Sequence, residues 1–232
     1  MMKIAGMQKT SLLDFPDKLC STIFTDGCNL RCPFCQNASL VLESGTNPMI
    51  FEQEIFTFLN KRRGLLDGVC ITGGEPLLQE GVEEFISKIK ELGFLVKLDT
   101  NGTFPEQLME LTKKGLIDYV AMDIKNSLKN YHKSVGFCDF DTSKVERSVA
   151  FLKEAGIPYE FRTTVVKEFH TKKDFELIGT WLTKTEHYFL QEFKLSDDVI
   201  NPNLHACSRE EMEEFRNILL KHAINAQLRG MD

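Results

Sequence analysis

Six short runs of this chain are almost continuously apolar: 19–25, 68–72, 94–100, 119–124, 159–166 and 187–194. Unbroken rather than alternating apolar character is what strands of a parallel sheet need when helices cover them. Between the runs the period lengthens. Val82, Phe85, Ile86, Ile89 and Leu92 recur at helical spacing, with Glu83, Lys88, Lys90 and Glu91 on the other side. Ser143 with Glu146, and Ser208 with Glu211, have capping-box spacing and start two further helices, through Val149 and Leu152 and through Phe215 and Leu219. A weaker helix begins near Phe51, and another after Lys172 carries Phe175, Ile178 and Leu182 at helical spacing. Six strands, each followed by a helix, predict an α/β fold whose right-handed crossovers partly close into a barrel or wind into an open sheet. A partial (β/α)6 barrel of parallel strands with outer helices is the expectation, as one domain over residues 1–232, since no linker or low-complexity tract divides the chain. In either arrangement ligands gather at the carboxyl ends of the strands.

Composition narrows the function classes. The chain has 28 basic and 34 acidic residues, a net charge of −6, which argues against a nucleic-acid or anionic-membrane surface. No stretch approaches the roughly 18 apolar residues of a membrane span, and the first residues lack the apolar core of a signal peptide, so a cytoplasmic location is expected. In a reducing compartment the seven cysteines stay thiols, and clustered ones bind metal or react.

Three of the seven are clustered. Cys28, Cys32 and Cys35 follow the first apolar run with C-x3-C-x2-C spacing, in a loop opened by Gly27 and turned by Pro33. A structural zinc site wants four protein ligands, and no second Cys or His pair at ligand spacing occurs. Asn29, Arg31 and Gln36 make the loop too polar for a core, whereas Cys20 and Cys70 sit in apolar runs and read as small buried hydrophobes. Three thiolates holding a four-iron cubane leave one iron open to a further ligand. The motif, with its aromatic Phe34, resembles the cluster motif of the radical S-adenosylmethionine (radical SAM) superfamily.

That resemblance implies a [4Fe-4S] cluster on Cys28, Cys32 and Cys35 whose open iron is chelated by S-adenosylmethionine, with one-electron cleavage to a 5'-deoxyadenosyl radical. It carries further positions with it. Gly73, Gly74 and Glu75 end the second run and resemble the motif that contacts the methionyl amino group; a tight turn before the next helix accounts for the glycines equally well. Asp99 and Thr100 end the third run, and Asp123 and Lys125 the fourth. Asp-Thr-Asn-Gly together with Asp-x-Lys resembles the glycyl-radical-enzyme activating branch. The resemblance implies that Lys125 pairs with the cofactor carboxylate and that Asp99, Thr100 and Asp123 sit around it, with room for a monovalent cation. Arg162 is implied beside it at a carboxylate or ribose, and Phe34 and Gln36 at the cofactor, Phe34 against the adenine. Lys125 and Arg162 are the implied catalytic pair. The stretch Phe34-Cys35-Gln36-Asn37 departs from the Tyr-Cys-His-Asn of pyruvate formate-lyase activators, and the late active-site histidine has no clear counterpart: His187, Gln191 and His205 all stay open. His132 and His170, lacking partners at ligand spacing, read as surface or loop residues.

The opening Ser11-Leu12-Leu13-Asp14-Phe15-Pro16-Asp17-Lys18 resembles the longer type of anaerobic ribonucleoside-triphosphate reductase activating proteins. The implied reaction is hydrogen abstraction from a glycine Cα of a glycyl radical enzyme, here anaerobic ribonucleotide reductase, with a flavodoxin or ferredoxin-type electron donor and neither nucleic acid nor membrane as partner. Activation of another glycyl radical enzyme such as pyruvate formate-lyase, radical chemistry on a small molecule, and a non-catalytic metal-binding scaffold are the competing readings.

Overall fold

A computed structural model describes residues 2–231. The chain forms two compact units. The first comprises the chain up to Asn29 together with Ser39–Ala121 and Lys144–Pro158; the second comprises Leu30–Ala38, Met122–Ser143 and the chain from Tyr159 on.

In the first unit β1 (Ile4–Ser11) pairs antiparallel with β2 (Cys20–Thr25), which runs parallel to β3 (Gly68–Gly73), itself parallel to β4 (Leu95–Thr100). Helices α1 (Ala38–Leu42), α2 (Glu52–Lys61), α3 (Val82–Glu91) and α4 (Pro105–Lys113) follow the strands in turn, and α6 (Ser143–Glu154) adds most of its length to this unit. The register puts Ile23, Ile71 and Leu98 on one sheet face, all fully buried, as are Ile55, Leu59, Phe85, Ile86, Ile89 and Leu108 on the helices. Each such side chain removed from water contributes about 2 kcal/mol. The opposite face carries Thr22, Cys70 and Lys97. Cys20 and Cys70 are fully buried there with Phe15, as a core of small thiols requires.

Strand β5 (Tyr119–Asp123) begins in the first unit and ends in the second. The second unit continues with α5 (Tyr131–Val135), then β6 (Tyr159–Val165), α7 (Lys172–Leu182), β7 (Tyr188–Glu192), α8 (Arg209–Lys221) and β8 (Ala226–Arg229), with β6, β7 and β8 parallel and adjacent in that order. Phe175 of α7 stacks on Phe215 of α8 at 4.5 Å, and a Cβ on Gly179 would overlap the His222 ring, so α7 approaches this close only because residue 179 has no side chain. Capping boxes start both helices, Thr171 with Asp174 and Ser208 with Glu211.

All six expected strands are present, as parallel strands with surrounding helices. The described residues hold two more strands, β1 beside β2 and β8 beside β7. Among the described residues no helix is long and apolar enough to cross a membrane.

Candidate functional site

The first unit builds its part of the site from strand ends. Gly73 adopts φ +106°, and a Cβ on Gly74 would overlap the Gly27 carbonyl, which accepts the Glu75 N–H at 2.9 Å. The paired glycines therefore let the β3 exit lie directly against the residue preceding Cys28. Glu75 is fully buried. Its Oε1 accepts from the Thr100 hydroxyl at 2.9 Å and the Leu77 N–H at 3.1 Å, and its Oε2 from the Asn101 N–H at 2.7 Å. One carboxylate thus fixes the ends of β3 and β4 together. Asn101 then turns its amide to Cys28 Sγ at 3.8 Å and to Asn29 Oδ1 at 2.9 Å, while Thr103 donates to its Oδ1 from both backbone and hydroxyl. Below, Asp99 forms a buried ion pair with Lys97, whose ammonium also lies 3.8 Å from Cys70 Sγ. Burial pushes the Cys70 thiol well above its ordinary value, so it is a protonated packing group and no nucleophile.

The second unit gathers charge. Asp123 lies between Lys125, Nζ to Oδ2 at 2.9 Å, and Arg162, Nε to Oδ1 at 3.1 Å. Burial alone would raise the Asp123 carboxyl, but the two cations and their hydrogen bonds outweigh it and hold the group down at about 2. Burial likewise works against the Lys125 ammonium, and Asp123 together with Cys32 more than reverses that and raises it. The β6–β7–β8 register places Arg162 beside Phe189 and Thr164 beside Gln191 and Arg229 on a common face. Across that face Arg229 forks onto buried Glu160, both contacts 3.0 Å, with its guanidinium 3.4 Å from the Phe189 ring centroid. Phe34, between Cys32 and Cys35, is buried beneath Lys125 Nζ at 5.9 Å and against Phe169 at 5.9 Å. Gln36 is exposed and donates its amide to the Lys194 carbonyl.

Within the first unit the structure therefore joins Gly73, Gly74, Glu75 and Thr100 in one hydrogen-bonded turn next to Cys28, and holds Asp99 one step down against Lys97. Within the second it joins Asp123, Lys125, Arg162 and Phe34. Of the three candidates for the late side, Gln191 lies within β7 on the sheet face of Arg162. His187 is exposed at the amino end of β7, where its carbonyl accepts from Phe161, and His205 is exposed and paired with Glu168 at 2.6 Å. His170, expected at the surface or in a loop, lies in the loop between β6 and α7 but is only 3% exposed, because both ring nitrogens find backbone partners, at Val166 and at Lys125. Asn101, Lys97 and Glu160 were missed. Asn101 belongs to the Asp-Thr-Asn-Gly stretch but had no role of its own there, whereas a charged residue two positions before Asp99 inside an apolar run was the available signal for Lys97.

None of the seven cysteines is in a disulfide; Cys138 is exposed, Cys28 and Cys35 are partly so, and the rest are buried. Among the described residues no three His, Cys, Asp or Glu side chains are gathered as a metal-ion cage. What the loop offers is donor chemistry: Cys28 receives an amide N–H, and the Lys125 charge acts on Cys32 and Cys35, against burial that raises Cys35. Amide donors and nearby cations favour thiolates and fit an anionic iron–sulfur group.

A family profile described as the radical SAM superfamily matches residues 22–182. The chain belongs to this superfamily and is a radical SAM enzyme. A protein of Methanocaldococcus jannaschii with the provisional name glycyl-radical enzyme activating enzyme is 34% identical to it, over 99% of this chain and 96% of the relative. A second protein of that organism, similarly named, is 26% identical over 96% of this chain and 85% of its own length. Among solved structures, Streptococcus suis SuiB bound to precursor peptide SuiA superposes with a TM-score of 0.71 at 14% identity, covering 90% of this chain and 48% of SuiB, a likeness of fold alone.

Proposed function

We propose that this chain is an activase that generates a glycyl radical on a partner glycyl radical enzyme, anaerobic ribonucleoside-triphosphate reductase, in the cytoplasm. The observation that carries the proposal is the 34% identity across 99% of the chain to a protein named as a glycyl-radical enzyme activating enzyme. Cys28, Cys32 and Cys35 would hold the [4Fe-4S] cluster, and Asn101 would donate to the cysteine at position 28. When bound, the cluster and S-adenosylmethionine supply, with one electron from a flavodoxin or ferredoxin-type donor, a 5'-deoxyadenosyl radical competent to take a glycine Cα hydrogen.

The protein's own residues bind and orient. Lys125 and Arg162, set on either side of Asp123, present fixed positive charge to the cofactor's carboxylate and ribose. Glu75 acts by holding the β3 and β4 ends in register, and Gln191 faces the same side as Arg162.

The test is electron paramagnetic resonance of the anaerobic reductase after incubation with loaded activase, S-adenosylmethionine and reductant. A glycyl doublet is expected, absent with Cys28→Ala, Cys32→Ala or Cys35→Ala and retained with Cys207→Ala. Formation of 5'-deoxyadenosine without a doublet would reassign the partner. Neither product from iron-loaded protein would leave only a metal-binding scaffold.

A further inference from the structure

His170 lies in the turn that follows β6, closed by its own N–H to the Val166 carbonyl at 3.0 Å. Its Nδ1 is 3.0 Å from the Val166 N–H, which only donates, and 3.2 Å from the Val166 carbonyl, which only accepts, while Nε2 lies 3.0 Å from the Lys125 carbonyl, which only accepts. A ring protonated on Nε2 satisfies two of these contacts, the Lys125 carbonyl and the Val166 N–H, whereas a ring protonated on Nδ1 satisfies only the longer one to the Val166 carbonyl. The contacts therefore favour the Nε2–H tautomer, and burial, which lowers the imidazole below its ordinary value, keeps it neutral. The ring also meets Phe34 edge-on at 6.4 Å and Phe175 at 5.9 Å.

Lys125 has both backbone groups tied down. Its N–H donates to the Tyr131 hydroxyl at 3.2 Å and its carbonyl accepts from His170. The next residue repeats the tie, since Asn126 Nδ2 donates to the Phe169 carbonyl at 3.0 Å. A lysine side chain has four rotatable bonds, so its ammonium finds Asp123 reproducibly only if the backbone beneath it is fixed. We infer that His170 is a positioning residue for the S-adenosylmethionine site: as an Nε2–H donor to the Lys125 carbonyl it sets where the Lys125 ammonium stands. The inference rests on Lys125 serving the cofactor, as proposed above.

Two amides separate the ring nitrogens. Glutamine places an N–H where Nε2 stands, and asparagine places an oxygen where Nδ1 stands, so His170→Gln keeps the link to Lys125 while His170→Asn keeps only the turn. Calorimetric titration of the iron-loaded protein with S-adenosylmethionine should give His170→Gln within about twofold of the parent and His170→Asn about tenfold weaker, the scale of one well-placed hydrogen bond. Built into Lys125→Met, His170→Asn should add no further loss, because both act on one group. Equal weakening by Gln and Asn, or full additivity with Lys125→Met, overturns the inference and assigns His170 to the fold alone. Should neither variant fold, nitrogen-15 histidine spectra of the unsubstituted chain decide: an Nε2–H tautomer is expected, and Nδ1–H overturns it. Iron-loaded parent protein that binds no S-adenosylmethionine refutes instead the functional reading on which the inference stands.

Discussion

Asp123 holds two cations at once, and most of the second unit's site chemistry follows from that residue. Its carboxyl sits at about 2 when folded, below the value of about 3.9 for a free aspartate. A depressed folded value means stability that is fully present above the unfolded pKa and lost as the pH falls from about 4 to about 2. The linkage is on the order of 2 kcal/mol. Asp123→Asn should therefore unfold more easily at pH 7, leaving Lys125 and Arg162 to repel one another, yet show a shallower loss of stability across that acid window. Denaturant titrations at stepped pH measure both, and parallel pH profiles for parent and variant would contradict the assignment. Residues of this kind were half visible in the sequence. Asp-x-Lys at the end of an apolar run flags charge delivered to a sheet edge and offers a pair between Asp123 and Lys125, but nothing in the string of letters brings Arg162 to the same aspartate. Similarly Glu75 announces itself, whereas the hydrogen bonds that occupy its oxygens, to Thr100 and the Asn101 N–H, exist only once β3 and β4 lie side by side. His170 reads as a loop residue, which it is; its burial is invisible in the sequence because its partners are backbone groups, which leave no trace in spacing.

At the scale of elements, the strands that were legible are those buried on account of parallel pairing. β1 escaped because Ile4–Ser11 mixes polar and apolar residues as an antiparallel neighbour of β2, and β8 because four residues, Ala226–Arg229, are too few to show a period. α4 opens on Pro105 at its first turn, a start signal whose apolar partners Leu108 and Leu111 are sparse. The element most sensitive to change is the turn leaving β3. Gly74→Ala forces a methyl into the Gly27 carbonyl, backbone against backbone, with no side chain able to yield. Overpacking of this type costs about 1–3 kcal/mol. Gly6→Ala, where the nearest atom is Phe24 at 3.7 Å, is the control and should cost well under half as much in urea unfolding. The damage should also appear in iron uptake, because the displaced carbonyl belongs to the residue before Cys28. A Gly74→Ala protein as stable and as readily loaded as Gly6→Ala would show that the close approach is incidental.

Taken whole, the molecule keeps its sulfur chemistry in distinct environments. Cys20 and Cys207, lifted by burial to about 11, and Cys70, pushed well above its ordinary value by burial, are inert, and the three motif thiols are committed by the proposed function. Cys138 faces solvent in the loop after α5, beyond Gly136. A maleimide fluorophore should therefore modify iron-loaded protein at a stoichiometry of about one, abolished by Cys138→Ser, and stripped protein at a higher ratio as Cys28 and Cys35 become available. Equal stoichiometry before and after stripping would place the iron elsewhere. That single reactive thiol makes the native chain its own spectroscopic reporter: a dye fixed at one known spot, without engineering, whose polarisation would register the arrival of a much larger protein.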